Sequence, residues 1–134
     1  MIAMHEILKG AVFGAQQRDI QENLIDLQKK MNIIRSLWGK PMIVTSGLRT
    51  MEDHLRIYRE MGVTDPAKIP IASRHLFGQA VDISDPKQEL QAWCKGNEKE
   101  LEAAGLWMED FSATPTWCHF QTKPPRSGKR WFLP

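Results

Sequence analysis

Cysteine is scarce in this chain: Cys94 and Cys118 are the only two. Two cannot build the disulfide framework on which small secreted domains depend. Their separation also excludes a zinc site made of closely spaced cysteine pairs. Cys94 falls in a helical pattern and Cys118 on the inward side of a strand, so both are expected as buried thiols. Charge of one sign is lacking too. The 18 basic and 16 acidic residues leave a net +2, which makes no electrostatic case for nucleic acid. The late basic residues Lys123, Arg126, Lys129 and Arg130 are expected as a solvated tail, or as one leaning on an anionic polymer such as a cell wall. No apolar run approaches the length of a membrane span, so no membrane insertion is expected. The opening Met1-Ile-Ala-Met-His-Glu-Ile-Leu-Lys9 lacks the basic start and apolar core of a secretory signal, so the expected localisation is cytoplasmic as synthesised. There is no repeat, low-complexity segment or linker, and residues 1–134 are long enough for one domain with its own core.

What is present begins with periodicity. Ile20, Leu24, Leu27, Met31, Ile34 and Trp38 recur at helical spacing, which predicts an amphipathic helix over 19–38. Asp19 and Glu22 read as its capping box and Gly39 as its end. Pro41 to Thr45 reads as a buried strand. A helix over 51–61 follows, with Thr50 as N-cap, Gly62 as terminator and Met51, Leu55, Tyr58 and Met61 as its apolar face. His54 falls on its polar side and is expected in solvent. Residues 63–72 read as a loop. Asp85-Pro86 reads as the start of a helix carrying Leu90, Trp93 and Cys94, and 98–104 as another ended by Gly105. Leu106 to Asp110 reads as a short strand turning back toward a second at 117–121. Residues 124–134 read as irregular, pinned by Trp131 and Phe132. The tryptophans at 38, 93, 107 and 131 are expected in the core. The fold class is α+β, a small antiparallel sheet packed against helices.

The chemistry concentrates in Ser73-Arg-His-Leu-Phe-Gly-Gln-Ala-Val-Asp82 and Trp117-Cys-His119. Two imidazoles and one carboxylate can hold a zinc ion and leave a fourth position open for water, which points to catalysis rather than a closed structural site. Gly78 allows a sharp turn after His75. Alternation along Ala80-Val-Asp-Ile83 sends Val81 and Ile83 to the core and puts Asp82 beside small Ala80 on the other face. Along Trp117-Cys-His-Phe-Gln121, the residues Trp117, His119 and Gln121 share one face and Cys118 and Phe120 the other. Arg49 suits bidentate capture of a carboxylate, or a plain pair with Asp53 one helical turn on. Ser73 reads as a ligand or substrate contact, or as a turn residue, and Trp117 as a cleft wall.

The pattern Ser73-x-His75-x-x-Gly78-x-Ala80-x-Asp82 resembles the signature of the zinc D-Ala-D-Ala carboxypeptidase and L-alanyl-D-glutamate endopeptidase family. Thr45-Ser46-Gly47-Leu48-Arg49 and Trp117-Cys-His119-Phe120 are similar to its substrate-arginine and last-ligand segments, in the same order over residues 42–121. The resemblance implies the Hedgehog-type peptidase fold, Zn²⁺ as cofactor, ligands His75, Asp82 and His119, and Arg49 facing a substrate carboxylate. It implies peptidoglycan stem peptides as substrate, cut by a small bacteriophage or prophage enzyme such as an endolysin, with a holin or virion for delivery. One position departs from the family's pattern. The carboxylate that serves as general base three residues before the last histidine is here Thr116. The nearest replacements are Glu109 and Asp110. If Trp107 and Glu109 share the face of His119, Glu109 is the base and Asp110 shapes the turn. The other expectation that Thr116 leaves open is a zinc-containing binding or phage structural module without hydrolytic activity.

Overall fold

The longest periodic segment becomes the longest helix. In the computed structural model, which describes residues 1–70 and 73–134, a short α1 (Met4–Leu8) precedes α2 (Arg18–Trp38). Leu24, Leu27, Met31 and Ile34 are fully buried, and Ile20 and Trp38 lie at the rim of the same stripe. Gly39 ends the helix in the left-handed conformation. The expected capping box does not form. The N-cap is Gln17, two residues earlier than the pattern required, so Asp19 falls inside the first turn and its carboxylate takes the amide of Ile20 instead.

Only the end of the expected 41–45 strand pairs, as β1 (Val44–Ser46). Then comes α3 (Met51–Glu60), whose N-cap Thr50 accepts the Asp53 amide at 3.1 Å. Its inner face differs from expectation. Met51 and Met61 are exposed, while His54 is completely buried. The cause is the chain that covers this helix: the Pro70 carbonyl needs a donor there, and His54 Nε2–H supplies it at 2.6 Å. Residues 71 and 72 of the expected loop lie outside the described residues.

The sheet has five strands in the order β1-β2-β4-β3-β5, completed by β2 (Ala80–Ser84), β3 (Trp107–Glu109), β4 (Trp117–Gln121) and β5 (Trp131–Phe132). Three of its junctions are antiparallel, and β5 lies parallel to β3. The sheet is therefore mixed rather than antiparallel, and the tail is not irregular throughout. The reason is local: the Arg130 and Phe132 carbonyls accept from Met108 and Asp110 at 2.9 and 2.7 Å, and burial of Phe132 draws the strand in.

Between β2 and β3 lie α4 (Glu89–Gly96) and α5 (Glu98–Ala104). Asp85-Pro86 is not the first turn of α4. Gln88 intervenes in a left-handed conformation, and Asp85 reaches across to accept the amides of Leu90 and Gln91 at 3.0 and 2.9 Å. This makes Asp85 a remote cap, buried because those amides have no helical partner.

One sheet face, with Val81, Ile83, Met108, Cys118 and Phe120, joins α2, α4 and α5 in the core. Both thiols are buried there, and burial pushes their ionisation up. Trp38, Trp93 and Trp131 pack against this core. Trp107 does not, because strand alternation puts it on the opposite face from buried Met108. There the Arg130 guanidinium lies 4.5 Å from its ring centre. No helix among the described residues is long and apolar enough to cross a membrane.

Candidate metal centre

Two adjacent strands and one tight turn bring the three sequence-predicted ligands together. Asp82, at the middle of β2, stands directly opposite His119 on β4. His75 comes from a 3₁₀ turn, Arg74–Phe77, closed by Gly78 at φ +69°. A Cβ on Gly78 would lie 2.9 Å from Leu24 Cγ, so only glycine lets this turn sit against α2. The result is His75 Nε2 at 3.4 Å from Asp82 Oδ2, and His119 Nδ1 at 2.9 Å from Asp82 Oδ1. One donor atom from each of the three residues lies within 4.8 Å of the others, and all three side chains are buried.

The outer hydrogen bonds sort the ring nitrogens. His75 Nδ1 faces the Gly47 carbonyl at 2.9 Å, which can only accept, so Nδ1 carries the proton and Nε2 offers its lone pair. Gln121 Nε2 donates to the Lys123 carbonyl at 2.7 Å. That fixes the amide and turns Gln121 Oε1 toward His119 Nε2 at 2.8 Å. His119 Nε2 is therefore the donor, and Nδ1 is the nitrogen aimed at the centre. Both rings are held by an acceptor on the far side, which is the outer arrangement that metal-bound imidazoles require. This donor set fits zinc: two imidazole nitrogens, one carboxylate and room for a fourth ligand from solvent.

With the ligands close together, their charges are coupled. Burial works against a charged Asp82, but hydrogen bonds and charge from His119 and His75 outweigh it and hold the carboxyl well below its usual range. Burial likewise opposes a charged His119. The Asp82 hydrogen bond and charge, with smaller contributions from Glu109 and Gln121, outweigh it and raise its proton affinity.

Arg49 also reaches this centre. Its Nη2 is 4.0 Å from Asp82 Oδ2, and its Nε and Nη2 donate to Ser46 Oγ at 3.2 and 3.0 Å. The plain alternative, a pair with Asp53, is not formed; Asp53 pairs with Arg56. Ser73 caps the His75 turn through its carbonyl, which accepts the Leu76 amide at 3.1 Å, and its side chain makes no capping bond. Trp117 is half-buried, two residues before His119 on the same strand face.

The register of β3 against β4 pairs Trp107 with Gln121 and Met108 with Phe120. Continuing it by one residue puts Glu109 opposite His119, half-buried on the ligand face. Asp110 turns elsewhere. Its carboxylate accepts the Ser112 amide at 3.0 Å, and that turn holds its carboxyl below the usual range. Thr116 is exposed, in the turn immediately before β4.

Sequence reasoning missed three members of the site. Gln121 was assigned the right face but no role, although its position two residues after His119 on one strand was a usable signal. Ser46 stands opposite Asp82 only because of a register shift that no local pattern reveals. Phe132, 6.1 Å from the His119 ring and edge-on to it, arrives through the parallel pairing of the tail.

A family model described as Peptidase M15 matches residues 2–110. That span contains Arg49, His75, Asp82 and Glu109, while His119 lies beyond it and is joined to the centre by the β2–β4 register. Neither the curated proteins nor the solved structures yield a match.

Proposed function

The chain belongs to the Peptidase M15 family, and we propose that it is a zinc-dependent peptidase hydrolysing peptide bonds in the stem peptides of bacterial peptidoglycan. The observation that carries this reading is the convergence of His75 Nε2, Asp82 and His119 Nδ1, each ring fixed from behind. Bound there, zinc would supply a Lewis acid and an acidified water. The remaining work falls to the chain. Arg49 binds a substrate carboxylate and so orients the peptide across the site. Glu109, on the ligand face, takes the proton of the attacking water and delivers it to the leaving amine. Trp117 and Phe132 wall the cleft and limit solvent around the reacting carbonyl.

The scissile bond is of the D-Ala-D-Ala carboxypeptidase or L-Ala-D-Glu endopeptidase type. A cell-wall lysis role of the phage kind requires a membrane-opening partner or a virion to bring the protein to the wall. Thr116 on its own favours a non-hydrolytic module of the same fold. Glu109 on the ligand face favours an enzyme, because it restores a carboxylate where the base is needed.

The test is digestion of purified peptidoglycan by zinc-loaded protein, read by mass spectrometry. New stem-peptide termini are expected from the wild type and none from His75→Ala or His119→Ala. Both variants are also expected to lose bound zinc in metal analysis. Full zinc occupancy in both would refute the ligand assignment, and intact muropeptides with zinc-loaded wild type would refute the substrate.

A further inference from the structure

Strand β1 contains a register shift that changes which residue faces the metal centre. Val44 pairs with Ile83 and Ser46 with Asp82, so two steps along β1 match one step along β2. In a regular strand, residues two apart share a face. Val44 is buried against the core, and Ser46 would follow it there. The bulge inserts Thr45 as the extra residue, exposed, with its Oγ1 donating to the Asp82 carbonyl at 3.3 Å. Parity reverses and Ser46 emerges on the ligand face. Bulges commonly re-aim a side chain beside a functional site in this way.

The Ser46 hydroxyl then takes both inner guanidinium donors of Arg49, Nε at 3.2 Å and Nη2 at 3.0 Å. Arg49 is less than one-fifth exposed, so this is a partly desolvated contact rather than a surface one. The backbone fixes the other side of the same segment. Arg49 N donates to the His75 carbonyl at 3.1 Å, and the Gly47 carbonyl accepts from His75 Nδ1.

We propose that Ser46 is a positioning residue for Arg49. By occupying Nε and the inner Nη2 hydrogen, it turns the Nη1/Nη2 edge of the guanidinium, whose Nη2 lies 4.0 Å from Asp82 Oδ2, toward the centre, and that edge is the one offered to an incoming carboxylate. The inference rests on the reading of Arg49 as the carboxylate anchor. It specifies the edge used and the residue that enforces it.

Ser46→Ala, Ser46→Thr, Arg49→Ala and the Ser46→Ala/Arg49→Ala double variant would be compared using a synthetic stem pentapeptide with a free C-terminal carboxylate. Melting temperature and zinc content serve as controls. Ser46→Ala is expected to raise KM about tenfold, equivalent to about 1.4 kcal/mol, with kcat and zinc content little changed. Ser46→Thr is expected to restore KM. In the Arg49→Ala background the serine change is expected to be silent, because its effect acts through Arg49. Independently of turnover, the Arg49 Nε–H signal in ¹⁵N NMR is expected to exchange slowly in wild type and Ser46→Thr and quickly in Ser46→Ala. Unchanged Nε–H exchange in Ser46→Ala would overturn the proposal whether or not the peptide is cut. A raised KM in Arg49→Ala but not in Ser46→Ala would overturn it while leaving the anchor in place. If KM moves in neither, the anchor itself falls, and Ser46's role with it.

Discussion

Replacing Gln121 with alanine removes the group that holds His119 from behind without touching any ligand. Gln121 is buried and makes two bonds, accepting from His119 Nε2 at 2.8 Å and donating to the Lys123 carbonyl at 2.7 Å. The change leaves a buried imidazole N–H without its acceptor, a loss of about 1–3 kcal/mol. That bond exists with or without metal, so the stability loss is expected in both forms. In a chain of this size it corresponds to a fall in Tm of roughly 3–4 °C per kcal/mol. Metal affinity suffers separately. The imidazole loses its fixed orientation and part of its basicity, and outer-shell losses of this kind typically weaken binding about 10–100-fold. The lower end is expected here, because Asp82 still contacts Nδ1 at 2.9 Å and keeps the ring partly aligned. Chelator-competition titration with zinc measures the affinity, and scanning calorimetry of loaded and stripped protein measures the stability. Gln121→Glu separates the two bonds: it keeps an acceptor for His119, so affinity and the stability lost with that acceptor should recover, but it cannot donate to the Lys123 carbonyl, so the share of stability from that bond should stay lost. An unchanged zinc Kd in Gln121→Ala would refute the assignment of Nδ1 as the liganding nitrogen.

Glu109→Gln is expected to keep fold and zinc and to lose hydrolysis by roughly a hundredfold or more, whereas Asp110→Asn, which disturbs only a turn, should keep most of it. The reverse outcome in a muropeptide turnover assay would move the base to Asp110. For metal-free protein, the Asp82–His119 pair makes stability depend on pH from both sides. The depressed Asp82 carboxyl contributes above its unfolded value of about 4 and is lost as pH falls through its lower folded value. The raised His119 contributes fully below about 6.5 and is lost as pH rises through its higher folded value. Stripped protein should therefore melt highest between about pH 4 and 6.5, while zinc affinity climbs with pH as the Nδ1 proton becomes easier to displace; a Tm that is flat across pH 5–9 in stripped protein would contradict the pair. Gly47→Ala should be among the most damaging single changes, because its Cβ would collide with the Ile7 carbonyl of α1, while the Gly47 carbonyl holds His75; a Tm and zinc content equal to wild type would refute that packing.

Much of the site was legible because its information is local. Residues 73–82 and 117–121 combine ligand chemistry with period-2 alternation, and alternation alone assigns faces within a strand. That is enough to pick out His75, Asp82 and His119 as candidate ligands and to separate Asp82 and His119 from Val81, Ile83, Cys118 and Phe120, whereas which of Glu109 and Asp110 shares the face of His119 depends on the β3–β4 register. The α2 stripe was equally plain, since helical spacing over 21 residues leaves little ambiguity. What no local pattern carries is register and covering. A bulge in β1 turned Ser46 to the ligand face, and a parallel pairing brought Phe132 beside His119. The polar side of α3 became an interior because the chain through Pro70 covers it, so His54 is buried instead of solvated. Asp85 caps α4 from outside its first turn for a similar reason. The sequence determined the donor set and the strand faces, because covalent chemistry and side-chain alternation are properties of short segments. Tertiary structure decided which groups stand behind the ligands, because the acceptors that orient His75 and His119, and the hydroxyl that orients Arg49, depend on how separate strands and turns meet.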